Sequence, residues 1–183
     1  INMTRNFGPA WTDSIVFGSQ RPGYYSDERP IKQSSIEKWI EFMKENGIKR
    51  VVCLLDKKLE YYDELLGAYS EIFGKQNVCS AKITDFDICS PELLNEVIIP
   101  FLNESISKEL PTVVHCSAGS GRTGHILSSW RYYHHDVDVE TSLNSLFESA
   151  NRYPLEAKGQ FSERLGREIT KQDYVNLLKS TKN

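Results

Sequence analysis

The sequence has 183 residues and a formal net charge of −3 at pH 7, a size that suits one compact domain over 1–183. Its 39% hydrophobic and 11% aromatic content can form a buried core, which excludes a disordered chain. The mildly acidic net charge gives no sign of a nucleic-acid partner. No apolar run approaches the roughly 20 residues of a membrane span. Because the first residues also lack a signal peptide's apolar region, we expect a cytoplasmic protein.

Short β-branched runs alternate with amphipathic helices along the chain. The pattern predicts strands at 14–17, 50–55, 78–83 and 112–115, and helices at 35–46, 61–73, from Ser90 with a kink at Pro100, after Gly121, near Asp138 and at 173–179. This alternation predicts an α/β fold with a central, mainly parallel sheet of about four or five strands flanked by helices. Ligands of such sheets bind beyond the carboxyl ends of the strands, so the segment after 112–115 is a candidate site.

The cysteine spacing fits neither a zinc site nor a dense disulfide framework: Cys53, Cys79, Cys89 and Cys116. We therefore expect reduced thiols and no structural metal. Cys53 lies on a predicted strand that could neighbour the strand before Cys116. A redox bridge between these two cysteines is one hypothesis, and a small core hydrophobe is the alternative for Cys53. The pair His134-His135 is interpreted as surface residues at a helix end rather than metal ligands.

The segment 115–124 joins a predicted buried strand to a helix through small residues, and it reads His-Cys-Ser-Ala-Gly-Ser-Gly-Arg-Thr-Gly. Its glycines let the backbone curl so that successive N–H groups point inward, which forms a cradle for phosphate at the helix N-terminus. The same positive field favours the thiolate of Cys116. Five residues separate Cys116 from Arg122, so the guanidinium can bind two oxygens of a phosphoryl group held in the loop. The predicted phosphate-binding residues are Ser117, Ala118, Gly119, Ser120, Gly121 and Arg122.

This string resembles the signature of the protein tyrosine phosphatase superfamily, His-Cys-x5-Arg-Ser/Thr. The resemblance implies a protein-tyrosine-phosphatase-like fold and a nucleophile, Cys116, that forms a phosphocysteine without a metal or other cofactor. It also implies that His115 helps to set the thiolate environment and that Thr123 hydrogen-bonds the sulfur. The short chain, with a candidate acid upstream of the nucleophile, looks like the small dual-specificity-like branch.

A phosphatase of this kind also needs an acid to protonate the leaving oxygen, which contributes roughly 10²–10⁴ in rate. In the dual-specificity-like branch this acid lies on a loop upstream of the cysteine, often as Asp-Phe a few residues before a proline. Asp85, followed by Phe86 and later by Pro91, matches that pattern. Asp87 is the alternative acid.

The C-terminal part of the resemblance is interrupted. The segment 151–157 resembles the arginine-proline segment of the small phosphatases, and 158–169 reads as an insertion. Gln172 looks like the glutamine that some relatives keep near the hydrolytic water, and Gln160 is a competing candidate. For both, an exposed structural glutamine is the alternative interpretation.

The variable loop positions Ser117, Ala118 and Ser120 are uncharged. Phosphatases of heavily charged inositol rings usually carry lysines there, so the resemblance favours a phosphorylated protein as substrate, with phosphotyrosine first and phosphoserine or phosphothreonine as further candidates. The alternative is a phosphoinositide or other non-protein phosphate monoester. A silent phosphoprotein-binding module usually loses the cysteine, arginine or acid, and all three are present. We expect a monomer.

Overall fold

The computed structural model describes residues 5–12, 14–144 and 150–183. One sheet of five strands lies at its centre, in the order β1-β2-β5-β3-β4. The strands are β1 Gly8–Pro9, β2 Val16–Ser19, β3 Arg50–Cys53, β4 Val78–Ser80 and β5 Thr112–His115. Only the edge pair β1–β2 is antiparallel, and every other pairing in the sheet is parallel. The predicted α/β architecture is therefore confirmed.

Helices cover both faces of this sheet. The helices are α1 Gln33–Glu45, α2 Leu65–Phe73, α3 Pro91–Leu93, α4 Ile99–Ser107, α5 Gly121–His134, α6 Val139–Ser142 and α7 Lys171–Ser180, with 3₁₀ turns at Lys57–Tyr61 and Lys75–Asn77. Because side chains alternate along a strand, Val113 joins the core cluster of α1 and α2, whereas Val114 joins that of α4, α5 and α7. The strand β5 is consequently buried on both faces, as its continuous apolar run predicts.

The predicted helix at 61–73 is wrong at its start. The chain forms the short 3₁₀ turn Lys57–Tyr61 and then breaks at Glu64, whose φ of +59° lies in the left-handed region. The helix α2 begins only at the next residue. This break separates a loop that borders the candidate site from a helix that belongs to the core.

The helix start predicted at Ser90 is confirmed, because the Ser90 hydroxyl accepts a hydrogen bond from Leu93 N at 3.1 Å. A π-helical turn, Leu94–Ile98, then interrupts the helix before Pro100. Because proline lacks the N–H that would continue the helical hydrogen bonds, Pro100 accounts for this irregular turn.

The insertion predicted at 158–169 forms a small hairpin of its own. Its strands are β6 Phe161–Ser162 and β7 Arg167–Glu168, paired antiparallel. Its Leu165 packs against the core cluster of α5 and α7, so the hairpin is attached to the body of the domain. Within the described residues, no helix combines the length and apolar character that a membrane span requires.

Candidate active site

The candidate phosphate loop begins where β5 ends and finishes where α5 begins. Cys116 directly follows β5 and is 3% exposed. Gly121 is the first residue of α5, whose residues from Gly121 to Arg131 are all buried. The segment therefore lies at the carboxyl edge of the sheet and at the N-terminus of the central helix, as the sequence predicts.

Every backbone carbonyl from Cys116 to Gly121 accepts a hydrogen bond from the surrounding protein. In loop order, the donors are His115 Nδ1, Arg21 N, Asn6 Nδ2, Arg152 Nη1, Gly124 N and His125 Nδ1, at 2.8–3.0 Å. By contrast, the backbone N–H groups of Ser117 to Arg122 donate no hydrogen bond within the part of the chain that the structure describes. Since the C=O and N–H of a planar peptide unit point in opposite directions, these contacts leave a row of free amide donors. Such a row is what an anion cradle requires.

Asn6 and Arg152 anchor the loop from residues far away in the sequence. The buried Asn6 side chain donates to Ala118 O at 2.9 Å and to Gly119 O at 3.2 Å. Arg152 Nη1 donates to Gly119 O, and its Nη2 donates to Gly8 O, both at 2.9 Å. The arginine of the 151–157 segment thus ties the loop to the edge of the sheet, and Asn6 is a contributor that the sequence analysis missed.

Gly119 is the loop position where glycine is required. Its φ is +75°, and a Cβ there would lie 2.5 Å from Ser19 C and 2.6 Å from Ser19 O. Any side chain would therefore collide with the backbone of β2 as well as strain its own backbone. This close approach lets the loop curl against the end of β2.

His115 is buried as a neutral imidazole beneath the loop. Its Nδ1 lies 3.0 Å from Cys116 O, and because a carbonyl only accepts, Nδ1 carries the proton and Nε2 accepts from Tyr69 OH at 2.9 Å. Burial lowers the pKa of His115 to about 4, and the nearby Arg122 acts in the same direction. Rings of Trp39 and Tyr69 pack edge-on against it. The histidine supports the loop backbone, in line with the supporting role implied by the sequence.

The hydrogen bond implied between Thr123 and the sulfur of Cys116 does not form. Thr123 Oγ1 is buried and makes no hydrogen bond within the described residues. Its methyl group instead faces Gly18, where an added Cβ would lie 2.7 Å from Thr123 Cγ2. In the observed rotamer the methyl group of Thr123 packs against β2, and the hydroxyl has no hydrogen-bond partner among the described residues.

Arg122 is buried among carboxylates at the mouth of the loop. Its Nη1 donates to Ile83 O at 3.0 Å and lies 3.4 Å from Asp56 Oδ1. Its Nη2 lies 3.2 Å from Asp85 Oδ1. The Nε makes no hydrogen bond within the described chain, so the Nε–Nη2 edge has donor capacity for an anion. Asp56, one-sixth exposed and missed by the sequence analysis, holds the other edge.

The two candidate acids occupy different positions on the loop after β4. Asp85 is 40% exposed and contacts Arg122 directly, which places its carboxylate at the site. Each carboxylate also accepts from the next backbone N–H, Phe86 N at 3.1 Å for Asp85 and Ile88 N at 2.7 Å for Asp87. Asp87 lines a small cavity with Arg122 and Glu156 but makes no ion pair with Arg122 within the described residues. The hairpin supports the same loop, since Arg164 Nη2 donates to Ile88 O at 3.1 Å. The direct contact with Arg122 favours Asp85 over Asp87 as the candidate acid.

Glu156 is a further carboxylate at the site that the sequence analysis missed. Its Oε1 lies so close to the start of α5 that a Cβ on Gly121 would approach it to 2.5 Å. Burial raises the pKa of Glu156, and the nearby Asp85 raises it further while Arg122 opposes both. The sequence offers no signal for this residue beyond its place in the 151–157 segment, because only folding brings it to the loop.

The two candidate glutamines make no hydrogen bond to the phosphate loop within the described residues. Gln172 is exposed on α7, where its Nε2 donates to Asn176 Oδ1 at 2.8 Å. Gln160 is exposed at the base of the hairpin, where its backbone accepts from Ile169 N. These contacts give no support to the role of Gln172 near the hydrolytic water, which stays a prediction.

Cys53 lies on β3 beside the strand that leads to Cys116, as predicted. It pairs in register with His115, is fully buried, and is a free thiol, as Cys116 is. Burial raises the pKa of Cys53 to about 12, so the thiol stays protonated at neutral pH. The environment therefore favours the small core hydrophobe, and the redox bridge stays a hypothesis.

Comparison with solved structures identifies related folds. Tk-PTP in its active form is 21% identical, with a TM-score of 0.59 and coverage of 94% of this chain and 94% of that chain. Kinase associated phosphatase, solved with its catalytic cysteine replaced by serine, is 17% identical, with a TM-score of 0.60 and coverage of 88% and 83%. The core catalytic domain of the PP-IP phosphatase SIW14 from S. cerevisiae is 16% identical, with a TM-score of 0.54 and coverage of 86% and 79%. At these identities the likeness shows the fold.

Sequence comparison gives the family. No curated protein matches the chain. The profile of the family described as "Polymorphic toxin system, DSP-PTPase phosphatase" matches residues 26–136, which is more than half of the chain and includes the whole candidate phosphate loop. The chain therefore belongs to this DSP-PTPase phosphatase family, within the protein tyrosine phosphatase superfamily and its small dual-specificity-like branch.

Proposed function

We propose that this phosphatase hydrolyses phosphotyrosine in proteins through a phosphocysteine on Cys116. The observation that carries the proposal is the loop backbone, in which outward hydrogen bonds occupy the carbonyls from Cys116 to Gly121 and leave the amides from Ser117 to Arg122 free. Preorganised donors of this kind stabilise a transferring phosphoryl group without reorganising during the reaction.

In the first step, the Cys116 thiolate attacks phosphorus in line with the leaving oxygen. A sulfur–phosphorus bond forms as the phosphorus–oxygen bond to the substrate breaks, while the loop amides and Arg122 bind the equatorial oxygens. The carboxyl proton of Asp85 passes to the departing oxygen, which leaves as a neutral hydroxyl. The contact of Asp85 with Arg122 supports this assignment.

In the second step, water hydrolyses the phosphocysteine. The Asp85 carboxylate takes a proton from the attacking water, a new phosphorus–oxygen bond forms, and the sulfur–phosphorus bond breaks to regenerate the thiolate. Inorganic phosphate then leaves. Glu156 lies beside Gly121 at the end of the loop, and its carboxyl is available to hold the attacking water.

A test of the chemistry is hydrolysis of p-nitrophenyl phosphate by the wild-type protein and by Cys116→Ser. We expect vanadate-sensitive turnover for the wild type, none for Cys116→Ser, and retained vanadate binding by that variant. Cys79→Ser is the matched control, because Cys79 lies on β4 away from the loop, and it should keep wild-type turnover. Activity in Cys116→Ser would refute the nucleophile assignment.

A second test separates protein from non-protein substrates. Phosphate release from phosphotyrosine, phosphoserine and phosphothreonine peptides should be compared with release from phosphoinositides and inositol polyphosphates. We expect the highest kcat/KM for phosphotyrosine peptides. A clear preference for an inositol phosphate would refute the proposed substrate while leaving the phosphatase chemistry intact.

The acid is tested by comparing leaving groups. Tyrosine leaves with a pKa of about 10 and needs a proton, so Asp85→Asn should lower kcat for phosphotyrosine by roughly 10²–10⁴. The same variant should affect p-nitrophenyl phosphate far less, because nitrophenolate is a good leaving group. Asp87→Asn is the matched control. If it alone gives the leaving-group-dependent loss, the acid is Asp87.

A further inference from the structure

One side of the candidate site carries cations that no catalytic step uses. Arg21 follows β2, Arg29 lies on the loop before α1, and Lys58 lies on the 3₁₀ turn Lys57–Tyr61. Within the described residues, none of these three side chains forms an ion pair with a carboxylate. Unpaired cations near one another are unfavourable unless a counter-charge arrives.

Arg21 joins this group to the phosphate loop. It is 6% exposed, its Nε donates to Ser117 Oγ at 3.2 Å, and its backbone N–H donates to Ser117 O at 2.9 Å. Its Nη1 donates to Tyr62 OH at 2.9 Å. Its Nη2 makes no hydrogen bond within the described chain. The charge is therefore fixed in position beside the loop, with donor capacity left over.

Tyr61 brings the other two cations together. The guanidinium carbon of Arg29 lies 4.1 Å from the centre of the Tyr61 ring, and Lys58 Nζ lies 5.7 Å from it. The backbone fixes this arrangement, because Ile31 N donates to Tyr61 O at 2.7 Å. The same turn begins after Asp56, which contacts Arg122. The pKa of Lys58 is lowered by partial burial and then by Arg21, with smaller effects of Arg122 and Arg29 in the same direction, whereas the nearby Asp85 raises it.

The loop mouth carries charges of both signs. Arg21, Arg29 and Lys58 form what we term the cationic rim. Two carboxylates lie at the same mouth, because Asp85 contacts Arg122 and interacts with Lys58, and Glu156 lies beside the start of α5. A polyphosphorylated ring held in the loop would also bring phosphates against these carboxylates, whereas a peptide can direct a single acidic group at the cationic rim.

We propose that the cationic rim binds a second anionic group of the substrate, so that the enzyme selects phosphotyrosine segments with an acidic or phosphorylated residue beside the phosphotyrosine. This inference rests on the proposed function, because it specifies the sequence around the residue that is dephosphorylated. Since each exposed ion pair contributes modestly, the three cations together should raise kcat/KM by about tenfold, mostly through a lower KM.

The test uses phosphotyrosine peptides that differ only in their flanks. One peptide carries glutamates on the N-terminal side, one carries them on the C-terminal side, one carries an adjacent second phosphate, and one carries glutamines throughout. We expect at least one acidic peptide to exceed the glutamine peptide by about tenfold in kcat/KM. The preference should largely disappear near 1 M salt, where the Debye length falls to about 3 Å.

The variant Arg29→Gln/Lys58→Gln should reduce the ratio between acidic and glutamine peptides from about ten to about two, because Arg21 keeps its charge. The control is Lys49→Gln/Lys75→Gln, which removes two exposed lysines near the N-terminal ends of β3 and β4, at the opposite edge of the sheet. This control should keep the full ratio. A ratio near one for the wild type, or an unchanged ratio in Arg29→Gln/Lys58→Gln, would overturn the inference.

Two further outcomes separate the inference from the proposed function. If the glutamine peptide is hydrolysed well and acidic flanks add nothing, the proposed function stands and only the role of the rim is wrong. If no phosphopeptide is hydrolysed, and Arg29→Gln/Lys58→Gln instead loses activity on inositol polyphosphates, both are refuted.

Discussion

Replacing Asn6 by alanine should destabilise the phosphate loop, although Asn6 lies 112 residues before Ala118 in the sequence. The Asn6 side chain donates to Ala118 O at 2.9 Å, Gly119 O at 3.2 Å and Asn151 O at 2.9 Å, and it accepts from Asn151 N at 2.7 Å. It is 8% exposed, so water cannot readily replace these partners. At a net value of about 1 kcal/mol for each hydrogen bond, Asn6→Ala should lower the free energy of unfolding by about 2–4 kcal/mol.

Activity should fall as well, because the carbonyl of Ala118 would lose its partner and the amides beside it would no longer be fixed. A displacement of about 1 Å at a catalytic group can cost about 10²-fold in rate. We therefore expect kcat/KM for p-nitrophenyl phosphate to drop by about 10–10²-fold, with weaker inhibition by vanadate.

Urea unfolding and steady-state kinetics measure the two effects of Asn6→Ala. The control is Asn46→Ala, which removes one exposed hydrogen bond to Phe42 O and should leave kcat/KM unchanged. If Asn6→Ala loses less than about 0.5 kcal/mol and binds vanadate normally, the outward hydrogen bonds do not hold the loop.

Three further predictions concern the loop and its supports. Gly119→Ala should lower kcat/KM by at least about tenfold. Gly47 has a similar φ of +77° but nothing within 4 Å of an added Cβ, so Gly47→Ala should lower only the free energy of unfolding, by about 1–2 kcal/mol. Equal kcat/KM values for the two variants would contradict this prediction. His115 and His125 have pKa values lowered to about 4 by burial, so the unfolded chain binds more protons below pH 6.5. Stability should therefore fall by about 3 kcal/mol per histidine as the pH drops from 6.5 towards 4, and a flat urea-midpoint profile over that range would refute it. Arg164→Ala should slow phosphotyrosine hydrolysis about 2- to 10-fold and leave p-nitrophenyl phosphate unaffected, since the hairpin supports the acid loop; equal losses on both substrates would argue against that role.

The local sequence predicts those parts of the site that are continuous in the chain. A β-branched run, a cysteine, small residues and a helix start occupy consecutive positions, so the loop from His115 to Thr123 could be located without coordinates. The Ser90 cap and the strand 112–115 are confirmed for the same reason, since each depends on neighbouring residues. Predictions failed where the chain breaks its own pattern, as at Glu64, whose positive φ gives no periodic signal.

Tertiary structure decides which distant side chains surround the loop. Asn6, Asp56 and Glu156 lie on separate segments, and no short-range pattern marks a polar residue that will bond a carbonyl or guanidinium far away in the sequence. The same limit applies to Gln172, which was chosen by its position in the chain and whose side chain donates to Asn176 in the structure. Sequence by itself therefore determined the candidate nucleophile, the candidate phosphate loop and the sheet that presents them. Folding decided how the loop is held, which candidate acid reaches Arg122, and where the cationic rim lies. Each of these depends on contacts between segments that are far apart in the sequence, and their order along the chain does not show which of them will meet.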